Sequence, residues 1–231
     1  MGFIGKGARI KGGKVRFSPF EWKRVDVAGA TLERNPGLLA LEWLPRVRAS
    51  DRQAFEQKMR RYIDGYHVVD INDQGETVPL NSQNDLFPVA FVSPQAGNES
   101  VIGVNFFANR ERRQTLERAW INGELSTSPP LKLIQLKEDE RGMLLVLPVF
   151  FGRPETIPER RQALRGFVIA AIDMRVLVNT VLAGRAEIGD YMRIDDISDP
   201  ERIKVLFEHG RVMESKLQSV TLQPIGGRLP R

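Results

Sequence analysis

The chain offers few side chains for catalysis. Its 231 residues include no cysteine and two histidines, His67 and His209. Without cysteine there is no thiol nucleophile, no cysteine–zinc site and no disulfide. The absence is compatible with a bacterial periplasm. His67 stands at a strand entrance beside Tyr66 and Val68, and His209 stands beside Glu208 and Gly210 in a predicted turn. Neither has a partner at metal-ligand spacing. No GxSxG or HExxH occurs. Asp195, Asp196 and Asp199 crowd one loop but lack the EF-hand pattern and its glutamate, so they read as a solvated acidic turn. The opening MGFIGKGARIKGGK has the wrong glycine–lysine spacing for a phosphate loop and no buried strand before it. No residue is assigned a catalytic or metal-binding role, and no cofactor is expected.

What remains is binding chemistry. Asn105 lies between Val104 and Phe106, just ahead of a predicted helix, and Ser126, Thr127 and Ser128 precede Pro129–Pro130. A buried Asn or Ser must find a hydrogen-bond partner, and an exchangeable ligand is one such partner. Phe87, Phe91, Phe106 and Phe107 are candidates for the apolar walls of a small-molecule pocket. The alternative is that Asn105 bonds neighbouring backbone and the aromatics are plain core.

These residues need elements to hold them. An apolar run at 38–43 carries one acid, Glu42, and stops at Pro45. Ser50 with Gln53 forms a capping-box pattern, followed by Phe55, Met59, Tyr62 and Ile63 at helical spacing up to Gly65. Strands are predicted over 68–71, 86–92, 101–104, 131–136, 143–151 and 167–173. A loop is predicted over 72–84. Asn109 is predicted to cap a helix over 110–121 that Gly123 ends. Its buried stripe is read as Leu116, Ala119 and Trp120, with Arg110, Arg112, Arg113 and Arg118 largely on the wet side. Helices are also predicted over 159–164 and 174–182, the latter stopped by Gly184. Weaker strands follow over 191–197, 204–208 and 219–225. Consecutive antiparallel strands with flanking helices predict an α+β fold.

The net charge of +5 is unevenly placed. Residues 1–24 hold seven basic side chains against Glu21, a net +6, which leaves the remainder at −1. A near-neutral body argues against nucleic-acid binding, which needs a basic face on the fold itself. Residues 1–17 read as a disordered leader. No apolar run approaches the roughly 18–20 residues that span a bilayer.

Several segments, in this order, resemble a CHASE domain, the extracytoplasmic sensory module of plant cytokinin receptors and of many bacterial receptor kinases and cyclases. They are NPGLLALEWLPRV at 35–47, LFPV at 86–89, ANRERRQTLERAWINGE at 108–124, GMLLVLPVF at 142–150 and RRQALRGFVIAAID at 160–173. The resemblance covers about residues 18–182. It implies two PAS-like lobes: a distal one over about 36–150 and a smaller proximal one over 150–231, possible truncation of the latter included. It implies a non-catalytic sensor in the periplasmic or extracellular part of an inner-membrane receptor. Such a sensor binds a small molecule, forms a homodimer in the full-length receptor, and passes its signal to a cytoplasmic histidine kinase or diguanylate cyclase. The membrane would be met only through flanking spans. In the plant receptors an aspartate reads the purine edge of a cytokinin. Asn105 matches that position, and the segment closing the pocket matches about Leu125 to Ser128. The expected ligand-binding set is therefore Asn105, Phe107, Phe91, Leu125, Ser126 and Thr127. Asn in place of Asp keeps an acceptor and loses the charge, so weak or no binding of adenine-type cytokinins is expected. The rivals are a ligand-free structural or dimerisation module and an enzyme with an unrecognised site.

Overall fold

The computed structural model describes residue 32 and residues 34–72, 76–81, 84–136, 141–183, 191–197, 201 and 203–210. The predicted leader, the stop at Gly184, Asp199, the strand over 219–225 and parts of the 72–84 loop lie outside these residues. Strand β1 is Leu38–Pro45. A 3-10 turn, Ala49–Asp51, leads into α1, Arg52–Met59. β2 (Asp70–Ile71), β3 (Thr77–Val78) and β4 (Phe91–Ser93) follow. Helix α2 spans Arg110–Asn122 and β5 spans Ser126–Thr127. Then come β6 (Gly142–Phe150), α3 (Ile157–Ala163), β7 (Leu164–Asp173) and α4 (Met174–Leu182). A hairpin of β8 (Tyr191–Asp196) and β9 (Lys204–Gly210) closes the described chain.

One antiparallel sheet, ordered β4-β1-β7-β6-β5, organises the molecule. The α+β class read from the sequence is the class observed. Strand β7, assigned from the sequence to the smaller lobe, pairs with both β1 and β6, so the first sheet draws on residues well past 150. Strand period two splits β1 between two cores. Ala40 and Leu44 face a cluster containing Phe87, Val104, Phe106, Leu116, Ala119, Phe167 and Ile169. Trp43 faces a second cluster with Val47, Met59, Tyr66, Val68, Ala90 and Phe91. A third cluster joins Met143 of β6 to Met174 and Val178 of α4 and to Leu206 and Phe207 of β9. It seats the carboxy-terminal hairpin on the end of the sheet.

Several predicted elements are shorter or differently built. Ser50 does not cap α1. Its hydroxyl bonds the Asp51 carboxylate, and Asp51 stands at the cap position with no side-chain bond. The predicted strands over 86–92 and 101–104 reduce to β4 and to single bridges such as Pro88↔Asn105 and Val69↔Val104. Pro88 has no N–H to extend a ladder, and Gly103 turns the chain with φ +82° against the His67 carbonyl, where a Cβ would collide. The strand over 131–136 reduces to one bridge, Leu131↔Gly142, and then a turn. Here the Leu133 side chain occupies the space where a side chain on Gly142 would stand, and the chain turns after the bridge instead of continuing the ladder.

Candidate functional site

Helix α2 is fixed at both ends. The Asn109 side chain accepts from the Arg112 N–H at 3.1 Å, and Gly123 ends the helix at φ 73°. Its inward stripe is Arg112, Leu116 and Ala119, three residues at i, i+4 and i+7. Arg112 is therefore not on the wet side, as the sequence reading had it, but 4% exposed. Arg118 is also partly buried and donates to the Thr127 carbonyl at 2.8 Å. The Arg112 guanidinium lies 4.9 Å from the centre of the Phe106 ring, and its Nη1 has no hydrogen-bond partner. Burial lowers it to about 10, against the opposing fields of Glu42 and Glu111.

Glu42 is the counterpart on the sheet. Register places Val92, Glu42, Ile169, Val146 and Ser126 in one row across β4, β1, β7, β6 and β5, and cross-strand neighbours share a face. Glu42 is 1% exposed. Its Oε1 accepts from Gln135 Nε2 at 3.2 Å, while Oε2 has no partner. Burial pushes the carboxyl up to about 7, with Arg112 and the Gln135 bond pulling the other way.

A cavity of about 460 Å³ opens above the first turn of α2. Asn109, Glu111 and Arg112 form one wall, Pro130, Leu131 and Lys132 another, Ile71 and Asn72 a third. Lys204 and Val205 of β9 complete it, with Arg141 ahead of β6. Lys204 Nζ meets Glu111 Oε1 at 2.6 Å, so the hairpin is tied to the helix at the rim of this cavity. Its size falls in the ordinary range for small-molecule sites.

The six residues expected to bind ligand are not brought together, and none lines this cavity. Asn105 is fully buried and engaged by the protein itself. Its Oδ1 accepts from the Phe87 N–H at 3.0 Å and the Phe107 N–H at 3.3 Å, and its Nδ2 donates to Asp70 Oδ1 at 3.0 Å. Asp70 Oδ2 in turn accepts from the Asn81 N–H. This is the backbone-bonding alternative, extended to a latch that ties three segments together. Phe91 belongs to the second cluster, on the opposite face of the sheet from Glu42. Phe107 packs its ring 4.5 Å from Phe87. Ser126 and Thr127 form the buried edge strand β5, and Leu125 is 39% exposed.

The other candidates are also occupied. His67 Nδ1 lies 3.0 Å from the Arg60 guanidinium. His209 stacks on Phe207, and Asp195 pairs with Arg193 at 2.9 Å. Among the described residues no group of three His, Asp or Glu is placed to hold a metal, and no helix is long and apolar enough to cross a membrane. Of the cavity-lining residues, the sequence reading weighs Arg112 for phosphate binding and sets it aside as part of a solvated helix face, and it does not single out Arg141 or Lys204. Asn109 was read only as a cap. For Arg112 a signal was present: the i, i+4, i+7 spacing to Leu116 and Ala119 places it on the inward stripe.

The chain is 28% identical over 144 residues to Hybrid signal transduction histidine kinase A of Dictyostelium discoideum, a match covering 57% of this chain and 6% of that protein. The chain thus spans a small fraction of the curated relative it matches. The family model of the CHASE domain matches residues 17–207, through the five-stranded sheet, α4 and most of the final hairpin. The chain belongs to the CHASE domain family, whose members are the sensor domains of signalling receptors and not catalysts.

Proposed function

We propose that this domain senses a small molecule outside the cytoplasm and passes the signal through a transmembrane receptor to a cytoplasmic kinase or cyclase. The observation that carries this reading is the position of the cavity. Its walls come from α2 and the segment 130–132 on one side and from β9 on the other, so one occupant touches both the large sheet's helix and the terminal hairpin. A ligand that fits one arrangement of these parts better than another shifts their equilibrium by its difference in affinity. The two PAS-like lobes belong to this reading. The larger is the five-stranded sheet with α2. The smaller is α4 with the β8–β9 hairpin, packed through Met174, Val178, Leu206 and Phe207. Family membership supports the sensor role. The homodimer implied by the resemblance is part of the proposal.

A thermal-shift screen of the 231-residue chain against amino acids, purines, sugars and organic acids tests it. A dose-dependent rise in melting temperature is the expected result, since a ligand at a hundred times its Kd adds about 2.7 kcal/mol of stability. Silence across all these classes would favour the ligand-free structural module.

A further inference from the structure

A buried guanidinium needs acceptors. Its charge and five N–H groups lose water on burial, and without partners that loss is uncompensated. Arg112 is 4% exposed, its Nη1 is unpartnered and closed off from solvent, and the residue contributes to the cavity lining. The face of Phe106 offsets part of the cost. Glu42 approaches from the sheet, yet its own Oε2 is unpartnered, so the two groups do not satisfy each other directly. The cavity around Arg112 adds Lys132, Arg141 and Lys204, against the single carboxylate of Glu111. Glu111 is itself engaged by Lys204. The first turn of α2, a helix of 13 residues, opens on the same space and brings the positive end of the helix dipole.

We propose that the cavity receives a compact oxyanion, the carboxylate or phosphate group of a small metabolite, with Arg112 as its anchor and Arg141 and Lys204 beside it. This rests on the reading of the cavity as the sensor's ligand site. A planar guanidinium presents a fork that matches either oxyanion through two parallel N–H···O bonds. Four basic side chains against the one carboxylate in the lining disfavour cationic ligands, and the volume, many times the roughly 30 Å³ share of one water, leaves room for the body of a metabolite behind the acid group. The anion would bridge α2 and β9 where the Lys204–Glu111 pair already joins them.

The test is titration calorimetry and thermal shift on the full chain. Sodium succinate and inorganic phosphate are the anionic probes, isopentenyladenine and glucose the neutral ones, all at matched ionic strength with sodium chloride as reference. Succinate or phosphate should raise the melting temperature beyond the chloride reference, and which does so identifies the acid group. Arg112→Met should weaken that binding about ten- to a hundredfold. Arg112→Lys, which keeps the charge and loses the fork, should fall between. Arg141 is exposed, so Arg141→Gln should leave the fold intact and weaken binding several-fold; it keeps the test decisive if Arg112→Met does not fold. An anionic response no larger than that of chloride, or one unchanged in Arg141→Gln and Arg112→Lys alike, overturns the proposal. A neutral probe binding where both anions fail overturns it while leaving the sensor reading in place. Failure of every probe, followed by silence in the wider screen, removes both.

Discussion

Replacing Asn105 by leucine should destabilise the domain by about 3 kcal/mol, because the amide bonds protein and not ligand. Leucine fills the same space and removes three bonds: those from the Phe87 and Phe107 N–H groups and that to Asp70. A buried donor left without an acceptor costs roughly 1–3 kcal/mol. Phe87 is fully buried, so its N–H carries a cost near the middle of that range. Phe107 is half-buried, and its N–H carries less. Asp70 is 9% exposed and keeps the Asn81 N–H, so it loses one of two stabilising bonds. The added apolar side chain returns about 1 kcal/mol. For a domain whose whole stability is of order 5–15 kcal/mol this is a large fraction. In urea, with a slope of roughly 2 kcal/mol/M, the midpoint should fall by about 1.5 M. Fluorescence reports it through Trp43, which is 4% exposed in the second cluster. Asn105→Asp is the sharper companion. It keeps the acceptor but sets a second carboxylate against Asp70, so the pair must hold a proton to stay folded. Its stability should approach that of the native chain in acid and fall as pH rises above the ordinary aspartate range. A midpoint lowered by less than about 0.5 M in Asn105→Leu, with no pH trend in Asn105→Asp, would refute the latch.

Three further outcomes follow from the same geometry. Glu42 titrates near 7 in the fold and near 4.5 when unfolded, so its contribution to stability is full below the lower value and lost as pH rises through the higher; Glu42→Gln should remove roughly 3 kcal/mol of pH dependence from urea titrations between pH 5 and 8. Gly142→Val should lower the melting temperature by several degrees, since its side chain must displace Leu133 and the Ile172 carbonyl; an unchanged transition would mean that the 131–133 segment is not seated there. The Lys204–Glu111 pair is about two-fifths exposed on each side, so a double-mutant cycle with Lys204→Ala and Glu111→Ala should give a coupling below about 1 kcal/mol in urea, and a much larger value would place the pair in a dry interface.

The parts of this fold legible in the sequence are those set by local chemistry. Helix α2 is announced by Asn109 and Gly123, β6 by its dense apolar run, and α4 by its apolar content. Segments whose conformation is set by distant neighbours are misread. Residues 86–92 look like a strand because they are apolar, yet Pro88 and the Asn105 latch hold them in single bridges. Residues 131–136 look like a strand because they are buried, yet Leu133 needs a bare glycine on β6 that nothing nearby in sequence reveals. For the polar residues inside apolar runs the sequence leaves a ligand and neighbouring backbone as alternatives, and in the structure Asn105 and Ser128 serve backbone groups of Phe87, Phe107 and Leu144. Arg112, whose Nη1 has no partner, was hidden among the four arginines of one helix that read alike in sequence.

Strand β7 has a consequence for how the molecule is made. It occupies the middle of the sheet but comes late in the chain, between β1 and β6. During synthesis β1 must wait, one edge bare, until more than a hundred further residues have left the ribosome, since its partner positions end at Ile172. Any shortened version that stops before Leu164, the start of β7, should therefore emerge with β1 and β6 unjoined and prone to self-association.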